Sequence, residues 1–200
     1  GIKDTNDKLD AIEQTIQFVQ ALDFSKYSEI GITGGELFDL KISRQYYQQL
    51  LQLFDVLARL LQDKKLKKVY ITASLLYKDL SLLIDCLDTF KHYHVSNKVL
   101  LCTSYDTKYR FKNEASERLW KHNMLELYRI YPEVLLHTEI ICSQDFIVKV
   151  LNNEFSIKDL ERVYHTKINY IKPQCNTQAK SIEEFDKQLP GFVLHRADFL

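Results

Sequence analysis

Glycine and proline are scarce in this chain of 200 residues, with five of the first and three of the second. No stretch is rich in Pro, Gly or Ser, so nothing reads as a linker, and residues 1–200 are expected to form one domain. No apolar run approaches the roughly 20 residues that a membrane span needs. The first residues, Gly1-Ile2-Lys3-Asp4-Thr5-Asn6-Asp7, have no apolar core of the signal-peptide kind. A leading glycine in place of methionine points to a processed or trimmed end. Net charge is absent as well, with 27 basic and 27 acidic residues. That balance argues against duplex nucleic acid or an anionic membrane as partner. Finally, Cys86, Cys102, Cys142 and Cys175 include no CxxC pair. A local zinc or iron–sulfur site is therefore not expected, no metal ligands are assigned, and buried free thiols in a reducing cytoplasm are the simplest reading.

What the chain does have is 46% hydrophobic residues in a regular rhythm. Leu9, Ile12, Ile16 and Val19 recur at helical spacing, which predicts a helix over 7–22. A short strand over 28–33 runs into glycines. Ser43 is placed to cap a long helix with an apolar stripe of Tyr47, Leu50, Leu51, Phe54, Leu57, Ala58 and Leu61. Residues 67–73 read as a strand, followed by a helix carrying Leu80, Leu83, Ile84 and Leu87. Residues 99–104 are a continuous apolar strand of the kind buried on both faces of a parallel sheet. A helix over 114–131 is stopped by Pro132, and 134–141 is a strand. A short helix over 145–152 comes next, and Ser156 with Asp159 resembles a capping box for the helix after it. Residues 168–171 make a further strand, and Ser181 with Glu184 opens a last helical turn.

Strands separated by helices give an α/β fold with a parallel sheet and right-handed crossovers. Ligands of such sheets collect beyond the carboxyl ends of the strands. The chemistry-bearing residues fall at those ends: 33–36, 72–74, 104–106, and Ser143 with Gln144. The densest element is Gly31-Ile32-Thr33-Gly34-Gly35-Glu36, which holds three of the five glycines. It lacks the spacing of a dinucleotide fingerprint and the Gly-Lys-Ser/Thr of a phosphate loop. Either the two glycines simply turn the chain and Glu36 is solvated, or Glu36 is held at the sheet rim to meet an ammonium group.

Residues 30–36 resemble the motif that follows the second strand in the radical S-adenosylmethionine (radical SAM) family. There two glycines and an acidic residue bind the amino group of S-adenosylmethionine. The resemblance assigns that contact to Gly34, Gly35 and Glu36 and covers residues 7–175, leaving 176–200 as a C-terminal extension. A second segment, Thr103-Ser104-Tyr105-Asp106-Thr107-Lys108-Tyr109-Arg110-Phe111, is similar to the Ser-x-Asp then Arg found after the fourth barrel strand in many members. It implies that Ser104, Asp106 and Arg110 position cofactor or substrate; read without the resemblance, Asp106 and Arg110 could equally pair locally in a loop. Trp120 and Asn123 fit the same family pattern, although a tryptophan at helical spacing also suits a core.

The fold implied is an incomplete, TIM-like partial barrel. The family's [4Fe–4S] cluster uses a Cys-x3-Cys-x2-Cys loop after the first strand, ahead of where this chain begins. That cluster is thus expected only with residues outside these 200. The chain is then a trimmed fragment, one piece of a split enzyme, or a domain of the same fold that binds or scaffolds without a cluster. An incomplete barrel leaves a strand edge open, where self-association or a partner chain is expected. Weaker candidates are Thr138, Glu139, Ser143 and Gln144 around the fourth strand, which could contact a ribose or carboxylate or equally cap the helix starting near Asp145, and His137, which shares a strand face with Glu139. Tyr46, Tyr47, Tyr164 and Tyr170 are expected to pack.

Overall fold

A computed structural model describes residues 5–33, 37, 38, 43–105, 110–173, 183 and 187. The elements run α1 (Thr5–Ala21), β1 (Glu29–Ile32), α2 (Arg44–Gln62), β2 (Lys68–Thr72), α3 (Ser81–His92), β3 (Val99–Tyr105), α4 (Glu114–Ile130), β4 (Leu135–Cys142), α5 (Gln144–Leu151), α6 (Ile157–Tyr164) and β5 (Thr166–Pro173). The strands form one all-parallel sheet in the order β1-β2-β3-β4-β5. Each strand thus neighbours the next in sequence, without the reversal of order that marks a doubly wound sheet. The α/β class and the alternation expected from the sequence are present. The expected last turn at Ser181 and Glu184 lies outside the described residues.

Local chemistry accounts for the element ends. Ser43 accepts a hydrogen bond from Tyr46 N at 3.1 Å and so caps α2. Ser143 caps α5 through Phe146 N, and Ser156 caps α6 through Asp159 N. The capping box is only half made, because the Asp159 carboxylate instead accepts from Arg162 at 2.9 Å. Leu80 is the residue before α3 rather than part of it. His165 ends α6 with φ 49°, in the left-handed region.

Packing divides the chain into two compact units. The first holds Gly1–Ala73, Tyr77–Leu101 and Tyr131–Leu135. Within it α1 packs on α2 and α2 on α3. The buried stripe of α2 is Tyr46, Leu50, Leu53, Phe54, Leu57, Ala58, Leu60 and Leu61. It is offset from the expected one, because Tyr47 and Leu51 are half-buried. Tyr47 faces α3 and donates a short hydrogen bond to the Asp85 carboxylate. That bond, with a little burial and the Asp85 charge, pushes its phenol up to about 12. Phe38, Phe54, Phe90 and Tyr77 join edge to face or tilted, at 5.6–6.1 Å between centroids.

The second unit holds Ser74–Leu76, Cys102–Ile130 and Leu136–Leu200. Its core is built round Trp120 of α4, which is fully buried. Tyr105, Phe111 and Tyr164 surround the indole at 5.2–6.1 Å. Trp120 and Tyr164 therefore pack, as their spacing predicts. On β4 and β5 the Thr138 and Thr166 hydroxyls meet at 2.7 Å in full burial, and Thr166 also donates to Leu136 O at 3.1 Å.

Candidate functional site

The two candidate elements lie in different units and are taken separately. In the first, Gly31 belongs to the edge strand β1 with an exposed backbone. A Cβ there would meet only Thr33 Cγ2, at 3.8 Å, an ordinary contact. Nothing in the described part of the chain requires glycine at 31. Gly34, Gly35 and Glu36 follow the carboxyl end of β1 but lie outside the described residues.

In the second unit, strand alternation sorts the β3 side chains into two sets. Thr103 and Tyr105 face α4: Thr103 Oγ1 accepts from Trp120 Nε1 at 3.1 Å, and Tyr105 donates to Glu117 Oε1 at 2.6 Å. Cys102 and Ser104 therefore project from the opposite face. On β4 the same alternation separates the buried Leu136, Thr138 and Ile140 from the half-buried His137 and Glu139. Burial raises the Cys102 thiol, and the Glu139 charge raises it further. The two groups are thus within electrostatic reach of each other. Cys102 is half-buried, not fully buried as its apolar strand suggested. The outcome is a neutral thiol and a hydroxyl on the side of β3 away from α4, and a carboxylate and an imidazole on the half-buried side of β4.

Ser104 is the last residue but one of β3 and is 7% exposed. Asp106 lies outside the described residues, so its pairing with Arg110 does too. Arg110 is half-buried, and its Nη1 is a covered donor with no hydrogen-bond partner among the described residues. A covered guanidinium nitrogen without an acceptor is uncommon, because desolvation of a charged donor is expensive unless an anion compensates it. A carboxylate would complete it with charge-assisted bonds. The polar residues near the exit of β4 divide: Ser143 is a helix cap and Thr138 a buried partner of Thr166, whereas Glu139 lies on the half-buried side of the strand.

On α4, burial disfavours ionisation of Glu117. Hydrogen bonds from Lys121 and Tyr105 and the charges of Lys121 and Lys149 outweigh it and hold the carboxyl below its usual range. Burial and the bond to Glu117 raise the Tyr105 phenol strongly. These groups tie the end of β3 to α4.

Among the described residues no three His, Cys, Asp or Glu side chains are grouped to hold a metal ion. Cys86, deep in α3, is raised by burial and then by Asp85, so it stays a thiol. The described cysteines do not fit an iron–sulfur cluster. Nor is any described helix long and apolar enough to cross a membrane.

The fold and these faces define an α/β protein with a sequentially ordered parallel sheet and polar strand exits. No protein-family model matches the chain, and no curated protein matches it.

Proposed function

We propose that this chain is the S-adenosylmethionine-binding core of a radical-SAM-type partial barrel. The observation that carries the reading is Gly34-Gly35-Glu36 directly after the carboxyl end of a parallel edge strand. Two features support it. The sequential strand order is the one a barrel of βα units requires, and Arg110 holds a donor that is unpartnered among the described residues and suited to a carboxylate. In this reading Glu36, with the bare backbone of Gly34 and Gly35, takes the cofactor's ammonium group. Separately, Ser104, Asp106 and Arg110 hold polar groups of cofactor or substrate.

Radical chemistry would need a [4Fe–4S] cluster from residues outside this chain, and no step is assigned to the chain itself. Two free thiols, Cys86 and Cys102, suit a cytoplasmic setting. Among the described residues strand β1 ends the sheet order, so its outer side is where a partner strand or a second copy would pair. Light scattering that finds a monomer at high concentration would remove that part.

Calorimetric titration with S-adenosylmethionine tests the main reading. The wild-type chain binds, and Glu36→Gln, which keeps shape and removes charge, loses about tenfold or more in affinity. Absence of wild-type binding, or equal binding by the variant, removes the reading.

A further inference from the structure

Leu75 follows the exit of β2 with φ 56°, in the left-handed region that bulky L-residues rarely enter, and its side chain is completely buried. Two residues of α4 hold the turn in which it sits. Asn123, 3% exposed, donates from Nδ2 to the Leu75 carbonyl at 3.1 Å. Trp120 donates to Thr103 Oγ1, and that hydroxyl donates in turn to the Ser74 carbonyl at 3.4 Å. Leu76 N closes the turn on Ser74 Oγ at 3.3 Å. Trp120 and Asn123 are three apart on a helix and so share one face.

We propose that Trp120 and Asn123 are positioning residues, a latch that fixes the Ser74–Leu76 turn and the Thr103-Ser104 end of β3 as one rigid rim. The latch rests on the reading above, because it acts on ligand through Ser104. Its chemistry is not what a core built for stability alone would use. A buried amide must have its hydrogen bonds met, and a leucine at 123 would fill the same space without that demand. Glycine or asparagine at 75 would adopt the left-handed turn with less strain. Instead two buried donors converge on consecutive carbonyls at a strand exit. A strained conformation persists only where its surroundings over-determine it, and this is such a place.

Two near-isosteric variants test the latch: Asn123→Asp removes the donor to Leu75, and Thr103→Val breaks the relay from Trp120 to Ser74. If one fails to fold, the other carries the test. Two quantities are measured on the full chain: amide exchange over residues 74–77 and calorimetric affinity for S-adenosylmethionine, both well below the melting temperature. Exchange at 75–77 should accelerate about tenfold and affinity should fall about tenfold, the worth of one buried hydrogen bond. Protection of α2 and α3 should be unchanged. A purely structural role would lower the melting temperature and leave affinity untouched. Unchanged exchange at 75–77 overturns the latch, and so does unchanged affinity in a variant whose turn has loosened. Failure of the wild-type chain to bind S-adenosylmethionine removes the underlying reading and the latch's binding role with it.

Discussion

Replacing Leu75 by alanine and by glycine should give an order of stability opposite to the usual one. Both variants lose a side chain that is fully buried, which for leucine costs about 2–5 kcal/mol. That loss is nearly common to the two. What differs is the backbone at φ 56°. Alanine keeps a Cβ in the left-handed region at about 1–2 kcal/mol, whereas glycine enters it freely. Against this, glycine has a more disordered unfolded chain, worth about 0.4–1 kcal/mol. The balance leaves Leu75→Gly as stable as Leu75→Ala, or up to about 1.6 kcal/mol more stable. Ala58 in the middle of α2 supplies the control, since it is fully buried in helical geometry. There Ala58→Gly should cost about 1 kcal/mol. Urea denaturation of the three variants and the wild type measures all the differences. The reasoning is refuted if Leu75→Gly falls below Leu75→Ala by the amount seen at position 58.

Other expectations follow from single contacts. Thr166→Val should destabilise more than Thr138→Val: it removes both bonds of the Thr166 hydroxyl and leaves the buried Thr138 hydroxyl without that partner, about 1–3 kcal/mol, whereas the reverse change leaves Thr166 bonded to the Leu136 carbonyl; thermal melts compare them. Gly31→Ala should leave stability within about 0.5 kcal/mol of wild type, since the added Cβ meets only Thr33, so any loss of ligand binding would report close approach by something outside the chain. Glu117 is held below its ordinary value, so its contribution is full above the unfolded carboxylate range and fades as pH falls through the folded value; Glu117→Gln should flatten the acid limb of a stability–pH curve. Tyr47 is raised, so its contribution is full below the ordinary tyrosine value near 10 and is lost as pH rises through about 12; Tyr47→Phe should remove that alkaline loss.

Much of the architecture was legible because it is written in local chemistry. Helices announced themselves by apolar spacing and by Ser43, Ser143 and Ser156, whose hydroxyls cap in the structure as their positions imply. Strand β3 was legible as an unbroken apolar run and is buried along nearly its whole length. Ser104 and Arg110 could be named from a motif, but not their surroundings. The covered Nη1 of Arg110 depends on the packing of neighbouring segments, which no spacing encodes. The electrostatic reach between Cys102 and Glu139 depends on how β3 and β4 align after a long crossover, so alternation within one strand gave only half of that relation. Leu75 was invisible for a different reason. A left-handed turn is usually signalled by glycine or asparagine, and here a leucine occupies it under compulsion from Asn123 and its own burial. Tyr47 misled the reading of α2 because a phenol can sit on an apolar stripe and still reach out to an aspartate.

The central claim is that this chain recognises the amino-acid end of S-adenosylmethionine. The most direct measurement is a pair of calorimetric titrations of the wild-type chain. One uses S-adenosylmethionine and the other 5′-methylthioadenosine, which carries the nucleoside and sulfur without the ammonium and carboxylate. The account predicts at least about tenfold tighter binding of S-adenosylmethionine, with the advantage abolished in Glu36→Gln. Equal affinity for the two ligands, or no binding of either, would contradict it.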